Sequence, residues 1–111
     1  MTGHQKEQNE RFGIEVIALH EIDKVADLVP NGPVYLSLDM DCLDPAFAPG
    51  VSHHEPGGMR TRQVLQIIQN LQSPLVGADI VEVNPKRDLN GVTAMVAAKL
   101  LKEIMAKMLE R

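Results

Sequence analysis

Three acidic residues at two strand ends, with a pair of histidines between them, are the chain's candidates for chemistry. Asp39 and Asp41 stand two residues apart where the apolar run from Val34 gives way to charge. In an extended strand that spacing turns both carboxylates to one face, with ~7 Å between Cα atoms. Carboxylates paired in this way bind a hard or borderline divalent cation, or bridge two ions ~3.5–4 Å apart. Glu82 occupies the matching place at the end of a second apolar run, just before Asn84-Pro85. A carboxylate there accepts a metal, or the planar fork of a guanidinium or amidine, which it fits in bidentate fashion. His53 and His54 lie in the Pro/Gly-rich segment between, within reach as ligands or proton shuttles. Asp79, mid-run and on the opposite face from Glu82, reads as a buried acid satisfied by backbone N–H groups or a basic partner. Cys42 reads as a small buried side chain behind the acids rather than a soft ligand.

The elements that must position these groups alternate between strand and helix. Ile14 to Leu19 is a short β-branched run and is expected to be a strand. Ile22, Val25, Ala26 and Val29 recur at helical spacing, so a short helix is expected over 21–29, stopped by Pro30-Asn31-Gly32-Pro33. Residues 34–41 follow as a strand apolar at nearly every position, which suits a central parallel strand covered on both faces. Residues 43–58 hold Pro45, Pro49, Pro56, Gly50, Gly57 and Gly58 and no periodicity. A structureless loop longer than about 12–15 residues is uncommon and is a place to expect function. A helix is expected from Thr61, its N-cap, with Val64, Ile67, Ile68 and Leu71 on one face. A third strand is expected over 75–83, ended by Asn84-Pro85, and a last helix from about Asn90 to Ala106 or beyond. The order implies an α/β fold: a parallel sheet layered between crossover helices.

Composition narrows the classes. One domain fits 111 residues. A net charge of −4 argues against a nucleic-acid surface, and no run of ~18 apolar residues offers a membrane span. A single cysteine excludes an internal disulfide and a CxxC zinc site. No targeting segment is visible, so the expected compartment is the cytoplasm for a bacterial source and mitochondrion or cytoplasm for a eukaryotic one. Aromatic residues are only Phe12, Tyr35 and Phe47, fewer than a self-sufficient small core needs, which points to part of a larger domain.

The stretch Ser37-Leu-Asp39-Met-Asp41-Cys-Leu-Asp44-Pro-Ala-Phe-Ala-Pro-Gly50 resembles the third metal-binding signature of the ureohydrolases, the arginases and agmatinases. Val51-Ser-His53-His54-Glu-Pro-Gly57-Gly58 and Gly77-Ala-Asp-Ile-Val-Glu82-Val-Asn84-Pro85 continue that pattern, and the likeness covers about residues 10–110. The resemblance implies a three-layer αβα domain of which only the C-terminal strands and helices are present over 1–111. It implies Mn2+, two ions per complete site, with Asp39 and Asp41 matching metal ligands and Glu82 the acid that holds the guanidinium. Asp44-Pro45 matches the structural turn behind the site. The implied reaction is hydrolysis of a guanidino C–N bond with release of urea. Arginine is the favoured substrate and agmatine the alternative, with formimidoglutamate and guanidinobutyrate left open. A complete protein of this kind is expected to form a homo-oligomer, a trimer or hexamer.

The family's other ligands, a histidine after a Gly-Gly turn and an Asp-x-His-x-Asp cluster, have no counterpart here, and neither has a catalytic histidine. Met1 is therefore expected to be an internal methionine or a mis-assigned start. A non-catalytic fragment is the serious rival to an enzyme: alone, the 111 residues are expected to bind manganese weakly and release no urea. Phosphotransferases with a strand-end Asp-x-Asp want Gly-Thr after the second acid, where Cys42-Leu43 stands, and nothing resembles the nucleotide site of a glycosyltransferase.

Overall fold

The computed structural model describes residues 1–110. Helix α1 (Gly3–Arg11) comes first, then a 3-10 turn at Leu19–Lys24 that runs into the single-turn α2 (Val25–Leu28). Strand β1 (Val34–Asp39) follows, a 3-10 turn at Met40–Cys42 closes it, and an irregular segment leads to α3 (Thr61–Asn70). Strand β2 (Leu75–Val81), a 3-10 turn at Pro85–Arg87 and the long α4 (Val92–Leu109) complete the order.

The two strands pair in parallel, with Leu36 beside Ala78, Leu38 beside Ile80 and Asp39 beside Val81. Parallel neighbours need a crossover, and the segment 40–74 with α3 supplies it. Alternation then sorts the side chains. Leu36, Leu38, Ala78 and Ile80 turn to one face and join a core with Val64, Leu65 and Ile68 of α3 and Leu100 and Ile104 of α4. Each fully buried leucine, isoleucine or valine among them contributes about 1.5–3 kcal/mol. The opposite face carries Tyr35, Ser37 and Asp79. There the Tyr35 hydroxyl donates to one Asp79 oxygen at 2.9 Å and the Ser37 hydroxyl to the other at 2.7 Å. Asp79 is thus satisfied by two hydroxyls, not by backbone N–H groups or a basic side chain.

The α/β class with parallel strands stands, and several boundaries shift. Residues 14–18 form no strand, and Ile14 and Val16 are 56% and 51% exposed. β-branched residues favour a strand only where a neighbouring strand and a packed face receive them, and among the described residues none does. The helix expected over 21–29 is a 3-10 turn plus one α-turn, kinked at Glu21. The N-terminal residues form α1, capped by Thr2, whose hydroxyl accepts the Gln5 N–H while the Gln5 side chain accepts the Thr2 N–H. Its polar sequence offers no apolar stripe to betray it. Thr61 is the first helical residue of α3 rather than its cap, and the Gln63 side chain accepts the Arg60 N–H.

Candidate metal and substrate site

β1 ends at Asp39, two residues sooner than expected, so Asp41 lies in a 3-10 turn and not on the strand. The cause is local: the Asp39 carboxylate accepts the Asp41 N–H at 3.0 Å and turns the chain. Met40, fully buried, anchors that turn in the core. The strand register sets Asp39 beside Val81, so Glu82 emerges next to the Asp39–Asp41 turn. Glu82 has φ of 71°, a left-handed conformation that costs a non-glycine residue about 1–2 kcal/mol. Such strain in a charged residue at a strand end is the kind that collects at functional sites.

The loop over 43–58 brings the histidines. Leu43, Ala48 and Val51 are buried and fasten it to the core. Asp44 accepts the N–H groups of Ala46 and Gly57, both at 2.9 Å, which hold its carboxyl below the ordinary range. The loop closes where the Asp44 N–H donates to the Met59 carbonyl at 2.8 Å and the Met59 N–H to the Cys42 carbonyl at 3.0 Å. Gly58 fits this closure because a Cβ there would stand 2.8 Å from the Asp44 nitrogen and 2.9 Å from the Cys42 oxygen.

Together these elements bring Asp41, His53 and Glu82 into one group, with a candidate ligand atom of each within 4.8 Å of the others. His54 turns away, its Nε2 lying 2.7 Å from the Pro49 carbonyl oxygen of its own loop. Asp39 adjoins the group through Asp41. Burial first, then the hydrogen-bonded, charged Asp39 and the charge of Glu82, raise the Asp41 carboxyl above its ordinary range, while His53 pulls it down. Among the described residues no lysine or arginine forms an ion pair with Asp39, Asp41 or Glu82. The carboxylate oxygens of Asp39 and Asp41 are donors that suit manganese, and an added cation would relieve the crowding of negative charge. The donors therefore fit such an ion. Cys42 is half-buried and packs against the core; burial first, then the charges of Asp39 and Asp41, push its thiol up to about 11.

A group of polar contacts escaped the reading of the sequence. Asn84 donates its N–H to the Gly50 carbonyl at 2.7 Å and its side-chain nitrogen to the Ser52 hydroxyl at 3.0 Å. Arg87 donates to the Ser52 carbonyl at 3.1 Å. The one signal available was Asn84 before a proline, which reads as a turn and says nothing of a contact 32 residues away.

A model of the arginase family matches residues 2–107. The chain belongs to the arginase family. Arginase 1, mitochondrial, of Arabidopsis thaliana is 53% identical over 110 residues, which cover 92% of this chain and 32% of that protein. Guanidinopropionase of Pseudomonas aeruginosa is 41% identical over 108 residues, 88% of this chain and 34% of that protein. Among solved structures, the arginase from Medicago truncatula superposes with a TM-score of 0.86 at 46% identity, over 97% of this chain and 36% of that one. The chain thus has an arginase-like fold and spans about one third of the length of the curated relatives it matches. No helix among the described residues is long and apolar enough to cross a membrane.

Proposed function

We propose that this chain is the C-terminal part of a single ureohydrolase domain, and that the complete protein hydrolyses L-arginine to L-ornithine and urea. The observation that supports this most is the convergence of Asp41 and Glu82, from two parallel strand ends, to within 4.8 Å at their carboxylate oxygens. In this reading Asp39 and Asp41 hold manganese together with ligands from outside these residues. Two manganese ions held there would supply a water made nucleophilic near neutral pH. Glu82 accepts two N–H groups of the guanidinium, fixing the plane of the carbon that water attacks. The C–N bond to the ornithine nitrogen breaks, and a proton supplied from elsewhere in the complete site leaves with that amine. His53 stands beside Glu82, where it faces the bound head group.

Agmatine is the second reading of the substrate, supported by 42% identity over 108 residues to a putative agmatinase of Schizosaccharomyces pombe. Urea release from arginine against agmatine separates the two. The complete protein is proposed to be a homo-oligomer. The Arabidopsis relative is named as mitochondrial, which supports that compartment for a eukaryotic source. The metal assignment is tested by Asp39→Asn and Asp41→Asn in the complete polypeptide. Each removes a charge that offsets a dication, so manganese and activity should fall together. Two ions per chain by emission spectrometry in both variants would overturn the assignment.

A further inference from the structure

Two parts of the candidate site come from segments with no regular pairing between them, yet three hydrogen bonds and a buried contact tie them together. Glu82 sits where β2 ends; His53 sits in the loop. The residues just after Glu82 hold the residues just before His53. Asn84 takes Gly50 through its backbone and Ser52 through its side chain. Its amide orientation is set from the other side, because its oxygen accepts the Lys86 N–H at 3.2 Å. Arg87 takes the Ser52 carbonyl, the peptide oxygen adjacent to His53. Below them the Gly50 N–H donates to the buried Thr93 hydroxyl at 2.7 Å, and a Cβ on Gly50 would stand 2.9 Å from both Asp88 and Thr93. Asp88 in turn accepts the N–H groups of Thr93 and Ala94 at the start of α4. The same short segment therefore sets the places of Glu82 and His53, one by chain continuity and the other by hydrogen bonds.

We infer that Asn84 and Arg87 are positioning residues that act through Ser52 to hold His53 against the guanidino head bound by Glu82. The inference rests on the reading of Glu82 as the substrate acid. It makes the imidazole a wall of the binding site and leaves the metal ligands to other residues. A free loop would place His53 in many positions, and substrate binding would then have to order it. The clamp removes that cost before substrate arrives.

The distinguishing experiment is a double-mutant cycle in the complete enzyme. Arg87→Ala should raise KM roughly tenfold, the factor that accompanies loss of one hydrogen bond from a charged donor, with kcat and manganese content little changed. Arg87→Lys should restore most of the loss, because a single carbonyl needs one donor. In a His53→Ala background Arg87→Ala should have no further effect on KM, and Asn84→Ala should behave alike. Faster amide hydrogen exchange at Gly50 and Asn84, whose N–H groups are hydrogen-bonded in this contact, is the readout independent of activity in Arg87→Ala. Additive effects of Arg87→Ala and His53→Ala, or unchanged exchange, would overturn the inference. Glu82→Gln serves as the reference: if it retains kcat/KM, the reading of the site itself fails, whereas its collapse beside an additive cycle condemns only the clamp.

Discussion

Residues 43–58 contain no helix or strand and yet are fastened to the core over 43–51, whereas residues 1–33 contain two helices and are fastened almost nowhere. In the first region Leu43, Ala48 and Val51 are at most 1% exposed, and Asp44 ties both ends of the turn. In the second, α1, α2 and the 3-10 turn between them bury no residue at all, and Phe12, Ile14 and Val16 are more than half exposed. Regular hydrogen bonding and anchorage are separate properties. Local stability follows buried apolar contact and protected polar contact rather than the presence of a helix. Of the candidate site, His53 stands in this first region.

This contrast can be broken by substitution. Leu43→Ala, in the loop, should cost about 2–5 kcal/mol, the range for deleting a buried leucine, read as a lowered urea midpoint of the complete polypeptide. Gly58→Ala forces a methyl into backbone atoms that cannot swing aside, and should cost about 1–3 kcal/mol as overpacking does. Losses within about 0.5 kcal/mol at both positions, the size usual for exposed sites, would contradict the anchorage of this loop.

A pH titration sharpens it further. Asp44 and Asp88 both lie below the ordinary carboxylate range: Asp44 through the N–H groups of Ala46 and Gly57, Asp88 against the pull of burial through those of Thr93, Ala94 and Leu89. Their folded values are depressed, so their stabilisation is present above the unfolded value near 3.9. It is lost as pH falls through the folded values. Melting temperature should therefore hold between about pH 7 and 5 and drop below about 4. Asp44→Asn should flatten part of that drop. An Asp44→Asn profile parallel to wild type would remove Asp44 from the account.

Much of this arrangement was legible beforehand. A strand apolar to its end, then Asp39 and Asp41, then a Pro/Gly loop with histidines, marked the candidate site because strand ends collect ligands in α/β folds. Of the expected face Val64, Ile68 and Leu71 are buried as their spacing requires, whereas Ile67 is only half-buried and Leu65, outside that face, is buried instead. What stayed hidden depended on partners distant in sequence. Ile14 to Leu19 has strand-forming residues and no strand to join. Asp41 left the strand because Asp39 bonds back to the chain, and the alternation rule does not encode that contact. His53 and His54 are adjacent and chemically alike; only the fold separates the one beside Glu82 from the one held by Pro49.

The central claim is that Asp39 and Asp41 serve the metal while Glu82 serves the substrate. Glu82→Gln in the complete enzyme tests that division most directly, with manganese counted and urea release from arginine followed on the same sample. The amide still offers a hydrogen bond but no charge, and a hydrogen bond to a charged group is worth about 1.5–3 kcal/mol, more where water is excluded. Two ions per chain with kcat/KM reduced at least tenfold is the expected result. Near-normal kcat/KM, or loss of manganese in step with activity, would contradict it.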